Sequence, residues 1–239
     1  MIRFFEKGLR KVWTRIKFLS LELIIVLFAF FAALAVFIFI ARMIFLKKRD
    51  DFDIAVFNFL EKHVSDVNTG LMQFFSFLGS HYFLIPANLL LVVYFLLIKK
   101  QPWFSIKVPV ISLSSLLLMF ILKQFFHRER PLIPLLEEAR GLSFPSGHAL
   151  MSSTFYGLLI YISLKGLENR VAQYSVFISF FLLILIIGLS RIYLRVHYAS
   201  DVIAGFCLGL VWLVLSLSVL NKVERLSTKE IQTSEEKRL

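Results

Sequence analysis

The sequence predicts an all-α integral membrane protein whose six transmembrane helices form a single helical bundle. Of its 239 residues, 58% are hydrophobic and only 18% are charged, and the mean hydropathy is +0.78. A soluble domain is about half apolar and about one quarter charged. With 27 phenylalanines, too little polar surface remains to cover a water-soluble globule. The composition therefore excludes a soluble domain, a disordered chain and a disulfide scaffold.

Six segments are apolar and long enough to be predicted as spans, since a transmembrane helix needs about 20 residues. In chain order they cover 23–41, 67–98, 108–122, 141–164, 171–190 and 202–221. The first is too long for a signal peptide and lacks a convincing cleavage site, so we expect it to be retained. The predicted organisation is a basic segment over 1–20, one membrane domain over 21–220 and a polar, partly disordered tail over 221–239.

Lysine and arginine are unevenly distributed between the two sides of this arrangement. The side that holds both termini carries 16 of the 27, and the other side carries 11. Cytoplasmic loops are enriched in these residues, so both termini are predicted to be cytoplasmic, in a bacterial inner membrane. The net charge of +11 lies in short loops and tails, so no nucleic-acid partner is predicted.

Three segments then face the extracytoplasmic side. The first, 47–70, mixes charged and apolar residues and is predicted to be an amphipathic helix on the membrane surface. The second covers 123–145, and the third is a tight turn over 191–200. Ionisable residues inside a membrane protein require an explanation, and here they gather at the ends of spans on this one side. They form three groups that could converge on one pocket: Lys123 with Arg130, Ser146 with His148, and Arg191 with His197 and Asp201.

The first group pairs two cations seven residues apart. If the helix continued, Lys123 and Arg130 would lie on one face, whereas Pro131 starts the loop. Two cations at a fixed spacing suit a phosphate, which the arginine fork can bind with two hydrogen bonds. The alternative is that both side chains simply extend to the membrane interface.

The second group opens the fourth span with Phe144-Pro145-Ser146-Gly147-His148. Free N–H groups at a helix start bind anions, the Ser146 hydroxyl can add a hydrogen bond, and Gly147 allows close approach to the backbone. His148 can exchange a proton near neutral pH. The alternative is an ordinary helix start with an incidental histidine.

The third group contains Arg191, His197 and Asp201. His197 and Asp201 are four residues apart, so on a helix they would be neighbours on one face. A carboxylate that binds one imidazole nitrogen fixes the tautomer and leaves the other nitrogen free to attack. Arg191 could reach the same anion. The alternative is that Asp201 pairs with Arg195 at a helix start.

Together these three motifs resemble the signature of the type 2 phosphatidic acid phosphatase superfamily, which includes lipid phosphatases, bacterial acid phosphatases and vanadium haloperoxidases. The resemblance rests on three pieces in order: Lys123-x6-Arg130-Pro131, Pro145-Ser146-Gly147-His148 and Ser190-Arg191-x5-His197-x3-Asp201. It implies catalytic roles for His148 as general acid, His197 as the nucleophile that forms a phosphohistidine and Asp201 as its orienting carboxylate. It implies phosphate binding by Lys123, Arg130, Ser146, Gly147 and Arg191. It also implies that no metal and no cofactor are needed.

The predicted function is that of an integral-membrane lipid phosphatase with an extracytoplasmic active site. Its partners would be the bilayer and a phosphorylated lipid: phosphatidic acid, phosphatidylglycerophosphate or undecaprenyl diphosphate. Two alternatives remain open at this stage, a non-hydrolytic lipid or anion transporter and a lipid phosphotransferase. The sequence leaves the oligomeric state undetermined.

Overall fold

The computed structural model describes residues 21–131, 136, 137 and 139–236, so the predicted basic segment over 1–20 lies outside the described residues. Within these ranges the chain forms eight α-helices and no strand. They are α1 Leu21–Ala41, α2 Asp51–Glu61, α3 Asp66–Leu78, α4 His81–Val93, α5 Pro102–Phe126, α6 Gly147–Gly166, α7 Arg170–Tyr193 and α8 Ala199–Glu236. Short π-helical segments, Arg42–Leu46 and Tyr94–Ile98, continue α1 and α4.

Five helical stretches of the described chain are long and apolar enough to cross a membrane. They are Leu23–Leu46, Asp66–Ile98, Pro102–Phe126, Arg170–Tyr193 and Ala199–Glu230. The prediction of an all-α membrane protein is therefore confirmed, with five of the six predicted spans meeting this criterion. The remaining predicted span, 141–164, corresponds to α6, which starts later and is more polar than the others.

Helix α6 is the centre of the bundle. It packs against α5, α7 and α8, and its buried residues include Ser152, Ser153 and Thr154. A helix surrounded by other helices can carry such hydroxyl groups, because their hydrogen-bonding atoms are not exposed to lipid.

Two glycines allow α8 to approach α6 closely. A Cβ atom on Gly205 would lie 2.7 Å from the backbone oxygen of Ser146, and one on Gly209 would lie 2.5 Å from the Cβ of Ser153. Small residues four positions apart are a common contact between membrane helices. The contact joins the two helix starts, where the Ser146 N–H donates to the backbone oxygen of Asp201 at 3.0 Å.

The predicted surface helix over 47–70 is wrong in extent. Only Asp51–Glu61 forms α2, and a new helix starts at Asp66 because the Ser65 hydroxyl accepts a hydrogen bond from the Asn68 N–H at 3.3 Å. Helix α2 is also packed on the bundle, with Phe57 buried among residues that include Val202 of α8. The segment thus docks against the protein.

The predicted second span is interrupted. Helices α3 and α4 are separated by Gly79 and Ser80. A Cβ atom on Gly79 would lie 2.5 Å from Cγ2 of Ile187 and 3.3 Å from Cδ2 of His148. Only glycine fits this contact. Because His148 lies in the first turn of α6, the break between α3 and α4 lies directly beside the start of that helix.

The predicted polar, partly disordered tail over 221–239 is helical as far as it is described, since α8 continues without a break to Glu236, and 237–239 lie outside the described residues. The stretch 222–236 contains neither Gly nor Pro. It is held to the bundle by Lys107 of α5, whose Nζ donates to Oδ1 of Asn221 at 2.7 Å and to Oε2 of Glu224 at 2.6 Å. Lys107 is 1% exposed, so it is not the loop cation that the charge count assumes.

Candidate active site

The three sequence motifs meet at one end of the bundle. Arg191 lies in the last turn of α7, His148 in the first turn of α6 and Asp201 in the first turn of α8. His197 lies in the turn over 194–198 that joins α7 to α8. An aromatic cluster of Phe37, Phe45, Phe126 and Phe144 fixes the segment before α6 against the end of α1.

His197 is held by a hydroxyl group rather than by a carboxylate directly. Its Nδ1 lies 3.6 Å from Oδ2 of Asp201, which is too long for a good hydrogen bond. The Ser143 hydroxyl lies between them, 3.3 Å from Nδ1, and donates a short hydrogen bond to the same Oδ2. The predicted direct contact is therefore corrected, because His197 precedes α8 and is not on the helix with Asp201. Since Nδ1 faces this pair, Nε2 remains for a ligand.

Asp201 is completely buried, and both of its oxygens accept hydrogen bonds. Oδ2 accepts the bond from Ser143 and another from the Tyr198 N–H at 3.0 Å. Oδ1 accepts a bond from Nη1 of Arg128 at 2.6 Å. The alternative pairing of Asp201 with Arg195 is not observed.

Arg128 connects Asp201 to helix α2. Its Nη2 donates to Oδ2 of Asp53 at 2.9 Å, its Nη1 donates to the Ser200 hydroxyl at 2.8 Å, and its guanidinium lies 3.9 Å from the centre of the Tyr198 ring. Burial by itself would lower the pKa of Arg128, but the two carboxylates raise it above its ordinary value. The sequence motifs assign no role to Arg128, Asp53 or Ser143. Two features of the sequence could have pointed to these residues. Ser143 lies beside the second motif, and Asp53 lies in an amphipathic segment.

Arg130 is bound to backbone oxygens. Its Nε and Nη2 donate to the carbonyl oxygens of Gly141 and Arg140, each at 3.0 Å, and its Nη1 donates to that of Val196. Carbonyl groups orient the guanidinium without cancelling its charge. Burial and then the charge of Arg191 lower the pKa of Arg130, while it remains charged at neutral pH.

Lys123 is also bound to a carbonyl oxygen, that of Leu142. The helix does not continue from Lys123 to Arg130, so the two side chains do not share one helix face. Helix α5 ends at Phe126, because His127 adopts a left-handed conformation with φ of 49°. Arg130 reaches the site from the loop instead.

Arg191 is the third cation. Its Nη1 donates to both carboxylate oxygens of Glu137 at 3.1 Å and to the Ser76 hydroxyl. Its Nε has no hydrogen-bond partner among the described residues, and neither does the Ser146 hydroxyl. Arg191 is 3% exposed and Ser146 is fully buried. Buried polar atoms are rarely left unbonded, so both atoms are suited to bind an anion.

We call Lys123, Arg130 and Arg191 the site cations. Burial lowers the pKa of His197 well below its ordinary value, and the charges of the site cations lower it further. Its imidazole is therefore neutral at neutral pH, as a nucleophile must be. His148 is half-buried and lines a cavity of about 530 Å³ together with Arg130 and Arg191.

A metal centre is not found in the part of the chain that the structure describes. No three His, Cys, Asp or Glu side chains there are close enough to hold an ion. The expectation that the protein needs no metal and no cofactor stays a prediction.

The fold and the site define a helical membrane protein with a cationic pocket around two histidines. Residues 104–225 match the family model of the PAP2 superfamily. The chain belongs to that superfamily, and the predictions of this family and of a phosphatase are confirmed at this level.

Two curated relatives cover most of the chain. Phosphatidylglycerophosphatase B of Bacillus subtilis is 30% identical over 168 residues, which are 70% of this chain and 80% of that protein. An undecaprenyl-diphosphatase of Sulfolobus acidocaldarius is 29% identical over 164 residues, which are 66% of this chain and 73% of that protein.

Two solved structures have a similar fold. A transmembrane PAP2 type phosphatidylglycerolphosphate phosphatase from Bacillus subtilis superposes with a TM-score of 0.75 at 24% identity, covering 82% of this chain and 98% of that one. LpxE of Aquifex aeolicus superposes with a TM-score of 0.54 at 27% identity, covering 69% of this chain and 94% of that one. The first likeness, at this identity, shows the fold alone.

Proposed function

We propose that the protein is a metal-independent lipid phosphatase that removes a terminal phosphate through a phosphohistidine at His197. The observation that carries the proposal is a neutral, buried His197 beside three site cations, with two unbonded polar atoms nearby. Fixed positive charges and N–H groups stabilise the charge that develops on a transferring phosphoryl group.

In the first step, Nε2 of His197 attacks phosphorus, and the bond from phosphorus to the lipid oxygen breaks. His148, which is protonated in the complex with the phosphate dianion, gives its proton to that oxygen, so the lipid leaves as an alcohol or as a protonated phosphate. Nδ1 of His197 keeps its proton, oriented by Ser143 and Asp201. The Nη1 of Arg191 is already engaged with Glu137, so the unbonded Nε is the atom we assign to a phosphoryl oxygen.

In the second step, water hydrolyses the phosphohistidine. His148, now neutral, takes a proton from the water molecule as its oxygen attacks phosphorus. The bond between phosphorus and Nε2 breaks, phosphate leaves, and His197 and His148 return to their starting protonation states. Both steps use the same acid–base residue, as reversal of a displacement requires.

We further propose that α6 is a sixth span and that the site faces the extracytoplasmic side. The 20 residues of α6 would cover about 30 Å, the thickness of the hydrocarbon core. The names of the two relatives support phosphatidylglycerophosphate and undecaprenyl diphosphate as substrates, with phosphatidic acid as a third possibility.

The test is phosphate release from these three lipids by the purified protein in detergent with excess EDTA. We expect release from at least one lipid, and a ³²P-labelled lipid should label the wild-type protein but not His197→Asn. His148→Asn should slow the hydrolysis of substrates with poor leaving groups by about 10²–10⁴-fold, and the hydrolysis of an activated aryl phosphate should be affected less. A loss of activity in EDTA that Mg²⁺ restores, or full activity of His197→Asn, would overturn the mechanism.

The same experiment addresses the other two functions. A transporter would bind these lipids without releasing phosphate. A phosphotransferase would pass the label to an added alcohol acceptor, leaving little free phosphate.

A further inference from the structure

The cavity at the active site is larger than a phosphoryl group requires. Its volume is about 530 Å³, and besides Arg130, His148 and Arg191 it is lined by several polar side chains that have no role in the proposed chemistry. Those side chains are Gln73, Ser80, His81, Tyr82 and Arg140.

This second region lies beside His148. Gly79 contacts the imidazole so closely that a Cβ atom there would lie 3.3 Å from Cδ2 of His148. His81 follows two residues later as the first residue of α4. The first backbone N–H groups bonded within α4 are those of Phe83 and Leu84, which donate to the Ser80 carbonyl oxygen. The N–H groups of the first two residues are therefore available at a helix start, where anions bind favourably.

The charge of this region is positive. Among the residues that the structure describes, Glu137 is the acidic side chain that lines the cavity, and both of its oxygens accept hydrogen bonds from Arg191 at 3.1 Å. Arg140 is exposed and forms no ion pair with any residue that the structure describes. Its carbonyl oxygen is held by Arg130, which fixes the backbone at the cavity wall and leaves the guanidinium for a ligand.

Displacement at phosphorus determines what enters this region. The attacking and leaving groups are roughly in line, so the lipid oxygen leaves on the side opposite His197, where His148 gives it a proton. Whatever is attached to that oxygen then lies close to His81 and Arg140. A leaving group with its own negative charge would be matched there, and a neutral glycerol would not.

We propose that His81, Arg140 and the start of α4 form a subsite for a second phosphate, which belongs to the leaving group. The preferred substrates are lipids whose terminal phosphate is attached to another anionic phosphate, directly as in a prenyl diphosphate or through glycerol as in phosphatidylglycerophosphate. Phosphatidic acid, whose leaving group is a neutral diacylglycerol, leaves the subsite empty. This inference rests on the proposed phosphatase function.

The test compares substrates within each variant. Arg140→Gln and His81→Gln are measured in the same micelles with a prenyl diphosphate, phosphatidylglycerophosphate and phosphatidic acid. Because a hydrogen bond to a charged group accounts for about tenfold in affinity, each variant should lower kcat/KM about tenfold for at least one of the first two lipids. For phosphatidic acid the change should be less than about twofold. The lipid whose kcat/KM falls more in these variants identifies which kind of second phosphate the subsite binds.

Lys62→Gln is the matched control. It removes one positive charge from an exposed residue at the same end of the bundle and lies outside the cavity, so the ratios should not change. A second measurement avoids turnover: methylenediphosphonate should inhibit wild type more strongly than orthophosphate does, and Arg140→Gln should remove this difference.

Equal losses for all three lipids, or unchanged ratios and an unchanged inhibitor preference, would overturn the subsite while leaving the phosphatase function intact. If wild type releases phosphate from none of the lipids, the proposed function itself fails.

Discussion

Arg128 joins two buried carboxylates, Asp53 and Asp201, although it does not contact the cavity. Removing its charge would leave both acids uncompensated, which costs about 3–5 kcal/mol and would obscure any effect on activity. Arg128→Lys keeps the charge but cannot donate to both acids in the same fork geometry. We expect the variant to fold and kcat to fall about tenfold while KM changes little, because Asp201 and not the substrate is affected.

Steady-state kinetics in detergent with an aryl phosphate checks this expectation. Arg195→Lys is the control, since Arg195 pairs with the exposed Glu61 at 3.3 Å and should behave as wild type. A change in KM alone would show that Arg128 contacts the substrate after all.

The lowered pKa of His197 makes stability dependent on pH. In the unfolded chain a histidine has a pKa of about 6.5, whereas the folded protein binds the proton only at lower pH. Below about pH 6.5 the unfolded state therefore binds a proton that the folded state does not, and stability falls as pH falls. We expect the thermal midpoint in detergent to drop more between pH 7 and pH 5 for wild type than for His197→Asn. An equal drop in the thermal midpoint for the two proteins would contradict this expectation.

At this scale the sequence predicted the residues that meet but not how they are connected. His197, Asp201 and the site cations were identifiable because their types and spacing suit phosphate chemistry. Ser143 was not, since a serine between a histidine and an aspartate becomes visible only once the loop before α6 has been folded against α8. Arg128 and Asp53 are 75 residues apart in the chain, and no local pattern relates them.

Helices α6 and α8 depend on the glycines between them. Gly205→Ala would place a Cβ atom 2.7 Å from the backbone oxygen of Ser146, which can relieve the clash only by moving the helix start that carries His148. Overpacking of this kind costs about 1–3 kcal/mol. We expect a lower thermal midpoint and lower activity together.

Gly70→Ala is the matched substitution. Gly70 is exposed in α3, and a Cβ atom added there would have no neighbouring atom within 4 Å, so alanine should stabilise that helix by about 0.5–1 kcal/mol. Equal behaviour of the two variants would show that the contact between α6 and α8 is looser than the structure indicates.

The breaks between elements were harder to predict than the elements. Hydropathy predicts one continuous second span, but it is divided at Gly79 and Ser80, where Ile187 and His148 of neighbouring helices leave no room for a side chain on Gly79. Likewise, α8 extends beyond its apolar part because Lys107 of α5 binds Glu224. Both are contacts between segments distant in sequence, which periodicity does not report.

For the whole molecule, the proposed orientation rests on the distribution of lysine and arginine between the two sides. Labelling provides a direct test. In a Cys207→Ser background, which removes the single cysteine, Glu129→Cys and Glu168→Cys place thiols at exposed positions on opposite sides of the proposed topology. We expect a membrane-impermeant maleimide to label the first in whole cells and the second only after lysis. The reverse pattern would place the chemistry in the cytoplasm.

The polar centre of the bundle has a consequence for biogenesis. Helices are offered to the bilayer one after another during synthesis, and entry depends on the hydrophobicity of each segment. Helix α6, with Ser152, Ser153 and Thr154 on its buried surface, should enter poorly until α7 and α8 can cover it. A fluorescent reporter that matures only in the cytoplasm should therefore be dim when fused after Gly166 and bright when fused after Leu239. Equal brightness would mean that α6 inserts unaided. The helix that carries the proposed catalytic acid would then be the last to enter the membrane, so that the active site is assembled only after the chain is complete.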